Sequence, residues 1–259
     1  MPACESRLRC ITVEERAAFA EVGHVTLRAG LSAFEVQHLE GRALSELPRL
    51  LDIGRAGETI VRFDNLNPDH RSILGRPALG ALAAGLLGTS AVRLLYGGLY
   101  LKPPGAPSTD WHQDQTYFPI KENSVVSLWI PFAPVTAKSA PLLFASGSHR
   151  AGYRHIEDES IAPGGYAIVE RSPLLVGDVS AHAGWTLHGG RPNTSTVERR
   201  ALCVAYFADG STQMSEAELM ADAPRWREIG PQLKSSEYRP GAPLEGEFVP
   251  VVYRSEPEK

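Results

Sequence analysis

Cysteine is scarce: Cys4, Cys10 and Cys203 are the only three in 259 residues. An odd, scattered set excludes a disulfide framework and offers no paired spacing for zinc, so reduced thiols in a cytoplasmic protein are expected. A basic excess is also lacking. Lys plus Arg total 26 against 30 for Asp plus Glu, a formal net charge of −4, and nothing in that balance invites a nucleic acid as partner. Long apolar runs are missing too. The longest stretch without Asp, Glu, Lys or Arg lies between Arg76 and Arg93, sixteen residues broken by Gly80, Gly85 and Gly88. That is too short to cross a bilayer, so no membrane partner is expected. The opening residues, Met1 to Glu15, contain no apolar segment of the signal-peptide kind, an expectation against secretion. The sequon Asn193-Thr194-Ser195 is discounted on the same ground. What is present is ordinary globular composition, 43% hydrophobic and 22% charged. A chain of this length can bury one sizeable core with a cleft in it.

The first part of the chain, 1–90, reads as a mainly helical layer. Thr12-x-x-Glu15 and Ser32-x-x-Glu35 are capping boxes, each followed by apolar residues at helical spacing. Leu31 and Val36 suit a hydrophobic staple, and Phe34, Val36, Leu39, Leu44 and Leu47 form the expected stripe of the second helix. A third helix is predicted to start near Pro77 and stop at Gly88. From Ala91 the character changes to short runs rich in β-branched and aromatic residues, separated by Pro and Gly: 91–101, 125–132, 173–176, 179–188 and 200–207. Ser215-x-x-Glu218 caps a late helix, and 247–253 suits an edge strand. No internal repeat or linker divides the chain, so 1–259 is expected to be one domain, with a jelly-roll core over 91–210 and an extension over 211–259.

Three of the eight histidines begin a His-x-acid triplet: His38-x-Glu40, His112-x-Asp114 and His155-x-Glu157. With 30 acids in 259 positions, about one such triplet is expected by chance. Context separates them. His38 and Glu40 fall in a predicted helix, where side chains two apart diverge by about 200°. His155 and Glu157 sit in a polar loop beside Arg154 and read as solvated. His112 and Asp114 lie in an extended stretch, where alternate residues share a face. An imidazole and a carboxylate from one strand, with a second imidazole from a distant strand, make the facial triad of non-heme Fe(II) sites and leave positions open for co-substrate and O2. His188, 76 residues beyond His112, is the candidate third ligand. His182 has the same strand parity as His188 and would also face inward, as a ligand or as a packing histidine. Arg199 opens the next strand and could fork onto the far carboxylate of a chelating 2-oxo acid. Arg200 points the other way, so one of the pair can serve.

His112-Gln-Asp-Gln-Thr-Tyr-Phe-Pro119, Gly147-Ser-His-Arg150, Gly177-Asp178 and His188-Gly-Gly-Arg-Pro-Asn193 through Arg199-Arg-Ala201 together resemble the phytanoyl-CoA dioxygenase family, from about Leu99 to Gly210. The resemblance implies a mainly β fold, a double-stranded β-helix (jelly roll, cupin-like) core with flanking helices. It implies Fe(II), 2-oxoglutarate as co-substrate, and O2. Carried over by position, His112, Asp114 and His188 match the iron ligands, Arg199 the arginine on the far carboxylate, and Trp129 a tryptophan lining that pocket. Thr186, inward by parity with His188, is added to the pocket on the alternation alone. Within the same motifs, His149 reads as a hydrogen-bonded turn histidine and Gly177-Asp178 as the tight turn into the strand that carries His188. An acid at Asp114 argues against halogenation, which in this fold needs a small residue there.

The implied reaction is oxidative. 2-Oxoglutarate loses CO2 to give succinate, and a C–H bond of the substrate is attacked by hydroxylation or by related oxidation, cyclisation or epimerisation. Gln115, Tyr117, Phe118 and Trp185 flank the ligands and are the candidate substrate contacts. The expected substrate is a small, largely apolar metabolite of natural-product tailoring. A CoA ester is the alternative, but the sequence shows no basic cluster for its phosphates. From other classes, a metal-dependent isomerase or hydrolase would leave Arg199 and Trp129 without a role, and a non-catalytic sensor would be expected to lose a ligand. The sequence does not specify an oligomeric state.

Overall fold

The structure is a computed structural model that describes residues 8–47, 57–225 and 239–256. Cys4 and the start of the chain lie outside the described residues.

Both early capping boxes form in both directions. Glu15 N donates to Thr12 Oγ1 at 3.2 Å and Thr12 N to Glu15 Oε2 at 3.0 Å, opening α1 (Val13–Val22). Ser32 and Glu35 do the same at the start of α2 (Ala33–Glu46). Each cap contributes about 1 kcal/mol. The stripe of α2 differs from the expected one. Val36, Leu39, Ala43 and Glu46 are buried, whereas Phe34 is 75% exposed, because two residues before Val36 it projects from the opposite side. α3 (Pro68–Leu74), capped by Asn67, was not expected. α4 (Pro77–Leu87) runs as predicted and stops at Gly88 in the left-handed conformation. A Cβ at Gly80 would stand 2.4 Å from Tyr253 Cβ, so the missing side chain lets α4 lie close on the last strand.

The N-terminal region is not helical throughout, because β1 (His24–Leu27) and β2 (Thr59–Arg62) interrupt it. There follow β3 (Ala91–Lys102), β4 (Thr109–His112), β5 (Val125–Pro131), β6 (Leu142–Ala145), β7 (Ile168–Glu170), β8 (Val179–Ala183), β9 (His188–Gly190) and β10 (Arg199–Ala208). α5 (Glu216–Asp222) forms on the predicted Ser215 cap, and β11 (Val251–Arg254) is the edge strand. The run 173–176 makes a single isolated pairing, Leu174 with Val135, and is not a strand. The run 179–188 is two strands. At the turn around Gly184 and Trp185 the chain leaves one sheet for the other, and the alternation counted through it is lost.

Among the described residues the strands form two antiparallel sheets. The larger has the order β1-β8-β5-β10-β3-β11, with β2 also on β3; the smaller has the order β4-β9-β6-β7. One face of the larger sheet packs on the helices. Val126, Leu128 and Ile130 of β5, Val179, Ala181 and Ala183 of β8, and Leu202, Val204 and Tyr206 of β10 meet Leu79, Leu82, Leu39 and Phe63 there. The intervening residues, Ser127, Trp129, His182, Arg199 and Cys203, line a cavity on the other face. Burial on both faces explains why these strands read as continuous apolar runs. This is a double-stranded β-helix with a helical layer behind it, the fold class expected from the sequence.

Candidate active site

His112 ends β4 and His188 begins β9, and the two residues stand directly opposite each other in the smaller sheet. Asp114 is not on the same strand. It opens a short 3-10 turn, Asp114–Tyr117, and that turn swings its carboxylate back beneath the two imidazoles. One ligand atom from each of His112, Asp114 and His188 lies within 4.8 Å of the other two. Asp114 Oδ1 is 3.7 Å from both His112 Nε2 and His188 Nε2.

The remaining polar atoms of the triad are already engaged. His112 Nδ1 lies 2.8 Å from Asp110 O and His188 Nδ1 lies 2.9 Å from Thr186 O. A carbonyl only accepts, so both Nδ1 atoms carry the hydrogen and both Nε2 atoms present a lone pair to the centre. Asp114 Oδ2 accepts from Ser127 Oγ at 2.5 Å and from His182 Nε2 at 3.0 Å, which leaves Oδ1 as the inward oxygen. Ser127 and His182 are cross-strand partners on the larger sheet, so that sheet holds Asp114 by two donors on one oxygen. His182 thus serves the carboxylate, and its own Nδ1 is buried without a partner. Burial opposes ionisation of Asp114, but His188, His182 and His112 hold its carboxyl well below the usual carboxylate range. Burial, then His182 and His112, pushes the His188 pKa well down, keeping the ring neutral. Two imidazoles that turn Nε2 inward and one carboxylate oxygen converging on a point fit a divalent cation of the first transition row.

A second constellation lies deeper in the same cavity, whose volume is about 160 Å³. Arg199 is buried and its guanidinium lies 5.2 Å over the Trp129 ring. Its Nη2 donates to Glu58 Oε1 at 2.5 Å, while its Nε is buried with no partner. Arg200, one residue on, is exposed and pairs with Glu198. A buried guanidinium with a donor to spare fits one more carboxylate, as a 2-oxo diacid would bring.

Of the expected substrate contacts, Tyr117 and Phe118 line the cavity, together with Tyr96 and Tyr100 of β3. The other two expected substrate contacts, Gln115 and Trp185, and Thr186, expected in the co-substrate pocket, are not among its lining residues. Gln115 is fully buried and donates to Ile120 O at 2.8 Å and Glu122 O at 3.1 Å, fastening its own loop. Trp185 packs on Met214, Leu219 and Ala223. Thr186 Oγ1 donates to Gly23 O at 2.8 Å, because the turn between β8 and β9 ends the parity that placed it inward. His38 is exposed on α2, and His155 and Glu157 line a separate depression in the loop 154–166. His149 is the turn histidine expected, with Nε2 3.1 Å from Ala20 O. Sequence reading missed Ser127, Glu58 and Lys102, which no motif marks. Alternation from Trp129 within β5 would have found Ser127.

Residues 19–201 match the sequence pattern of the phytanoyl-CoA dioxygenase family. The chain belongs to that family. Among relatives, a probable alpha-ketoglutarate-dependent hypophosphite dioxygenase of Stutzerimonas stutzeri is 29% identical over 136 residues, 45% of this chain and 46% of that protein. The match spans about half the length of this curated relative. Among solved structures, the non-heme alpha ketoglutarate dependent epimerase SnoN from nogalamycin biosynthesis aligns with a TM-score of 0.75 at 23% identity, covering 93% of this chain and 98% of its own. SnoN is also known in complex with Fe3+, alpha ketoglutarate and nogalamycin RO. The carbocyclase SnoK, also from nogalamycin biosynthesis, aligns with a TM-score of 0.72 at 24% identity over 93% of this chain and 96% of its own. At such identities these structures establish the fold of this phytanoyl-CoA dioxygenase family member. Among its described residues, no helix is long and apolar enough to cross a membrane.

Proposed function

We propose that this chain is a non-heme Fe(II)- and 2-oxoglutarate-dependent oxygenase acting on a small, largely apolar metabolite in natural-product tailoring. The observation that carries the reading is the convergence of His112 Nε2, Asp114 Oδ1 and His188 Nε2, with both imidazole tautomers fixed for ligation. In this reading those three residues hold Fe(II), and Arg199, flanked by Trp129, takes the far carboxylate of 2-oxoglutarate. When bound, metal and co-substrate supply O2 activation for oxidation of a C–H bond, with succinate and CO2 as the co-products.

The chain's own part is to bind, orient and shield. Ser127 and His182 keep Asp114 facing inward through Oδ1, which fixes the direction from which the metal is approached. Tyr96, Tyr100, Tyr117 and Phe118 wall the space beside the ligands with aromatic surface, which favours an apolar substrate and excludes water. The epimerase and carbocyclase that share the fold support C–H chemistry on a biosynthetic scaffold as the reaction type. Succinate formation from 2-oxoglutarate that requires both Fe(II) and O2 is the expected result, accelerated by the right compound from a metabolite panel pre-screened by thermal shift. Absence of succinate under all metal and metabolite conditions, or equal turnover with Zn(II), would overturn the proposal.

A further inference from the structure

Lys102 of β3 stands directly opposite Arg199 of β10 in the antiparallel register, so both side chains enter the same cavity. Both are buried, with exposures of 1% and 6%. The one buried carboxylate among the described residues facing these two cations is Glu58; Asp110, at the cavity's rim, is exposed to solvent. Glu58, also buried, accepts from Arg199 through Oε1, and its Oε2 accepts from Thr109 Oγ1 at 3.3 Å. Lys102 Nζ donates to that same hydroxyl at 2.7 Å, and no carboxylate of the described residues lies within ion-pair distance of it. Burial, helped by the Arg199 charge, pushes the Lys102 pKa down to about 8, against the pull of Glu58 and of Asp110. A buried ammonium held by one neutral hydroxyl has two hydrogens left over, and Arg199 Nε is likewise unmatched. Burying a charge without an opposite partner is costly, so this end of the cavity is built for a second anion.

We propose that Lys102 is a second anchor for the far carboxylate of the 2-oxo acid. The loaded pocket is then a neutral four-charge cluster of Arg199, Lys102, Glu58 and the ligand carboxylate. The inference rests on the 2-oxo acid reading above and deepens it. Arg199 fixes the carboxylate plane, Lys102 closes it from the neighbouring strand, and Thr109 steers the ammonium between the ligand and Glu58. Such a pocket selects a dicarboxylate, since a 2-oxo acid with an apolar tail would leave the extra cation unmatched.

The test uses full-length protein loaded with Mn(II), and titrates two ligands by calorimetry. One is 2-oxoglutarate; the other is 5-methyl-2-oxohexanoate, in which an isopropyl group replaces the far carboxylate. Lys102→Met is expected to weaken 2-oxoglutarate binding about 10- to 100-fold, the range for a lost charge-assisted hydrogen bond. The isopropyl analogue should change by less than about threefold, and Lys102→Arg should recover part of the loss. Unchanged 2-oxoglutarate affinity in Lys102→Met, or an equal loss for both ligands, would overturn the role of Lys102 and leave the 2-oxo acid reading standing. Failure of wild-type protein to bind 2-oxoglutarate would overturn both. If Lys102→Met does not fold, Thr109→Val removes the hydroxyl that steers the ammonium. A selective loss for 2-oxoglutarate in that variant supports the anchor, and no loss overturns it.

Discussion

In the proposed function, His112, Asp114 and His188 divide the work of one coordination site, and Ser127 and His182 support it through Asp114. Replacing any of the three by Ala is expected to abolish Fe(II)-dependent turnover, while His155→Ala and His38→Ala keep near-wild-type rates. Ser127→Ala leaves every proposed ligand in place but holds Asp114 Oδ2 by His182 alone, and Fe(II) affinity should fall about 10- to 100-fold. Titrating activity against Fe(II) for the set checks both statements; full activity in His112→Ala would remove that residue from the site. Arg199→Ala is expected to lower 2-oxoglutarate affinity about 30- to 3,000-fold, the consequence of losing about 2–5 kcal/mol from a buried ion pair. Arg200→Ala should cost less than about threefold, because Arg200 is exposed and pairs with Glu198 and Glu40. The reverse ranking in a titration of succinate formation would overturn the assignment. These residues were legible because each sits within a short motif of fixed spacing. Lys102, Glu58 and Ser127 were not, since their place depends on which strands become neighbours.

At the scale of elements, local chemistry was readable wherever a helix start carries its own signal. The three capping boxes and the Pro77 to Gly88 helix needed no tertiary information. β1 and β2 were unreadable because four residues among helices give no period, and they are strands only through their pairing with β8 and β3. The run 179–188 misled because a glycine turn inside it hands the chain from one sheet to the other. β1 also carries the clearest pH-sensitive contact. His24 Nδ1 accepts from Arg171 and its Nε2 meets Ser146 Oγ at 2.9 Å. Burial first, then Arg171, His182 and His149, lowers its pKa to about 3. The unfolded chain therefore takes up this proton near pH 6.5, before the folded one does. The contribution to stability is full above about pH 6.5 and is lost as pH falls from there towards about 3, by at most about 5 kcal/mol. Urea midpoints between pH 7.5 and 4 should fall more steeply for wild type than for His24→Gln; parallel curves would sink the idea.

Across the whole molecule, the proposed metal ligands and the proposed carboxylate anchors belong to different sheets. His112 and His188 sit in the smaller sheet, with Asp114 in the turn that follows it, whereas Arg199, Trp129, Ser127 and His182 sit in the larger. On the proposed reading, a 2-oxo acid held at the metal site at one end and by Arg199 at the other would be a rivet through the barrel wall. Riveting changes how the molecule breathes. Any local opening of the small sheet away from the larger one would in the loaded protein also have to break the rivet. Amide exchange in β4 and β9 should slow when Mn(II) and 2-oxoglutarate are added together, and much less with either alone. Equal protection by metal alone would mean that the two sheets are not tied through the ligand. On that reading the same linkage would make co-substrate loading a mechanical event: the cavity in which the substrate must react would become rigid only after the reagent that will be consumed had already crossed it.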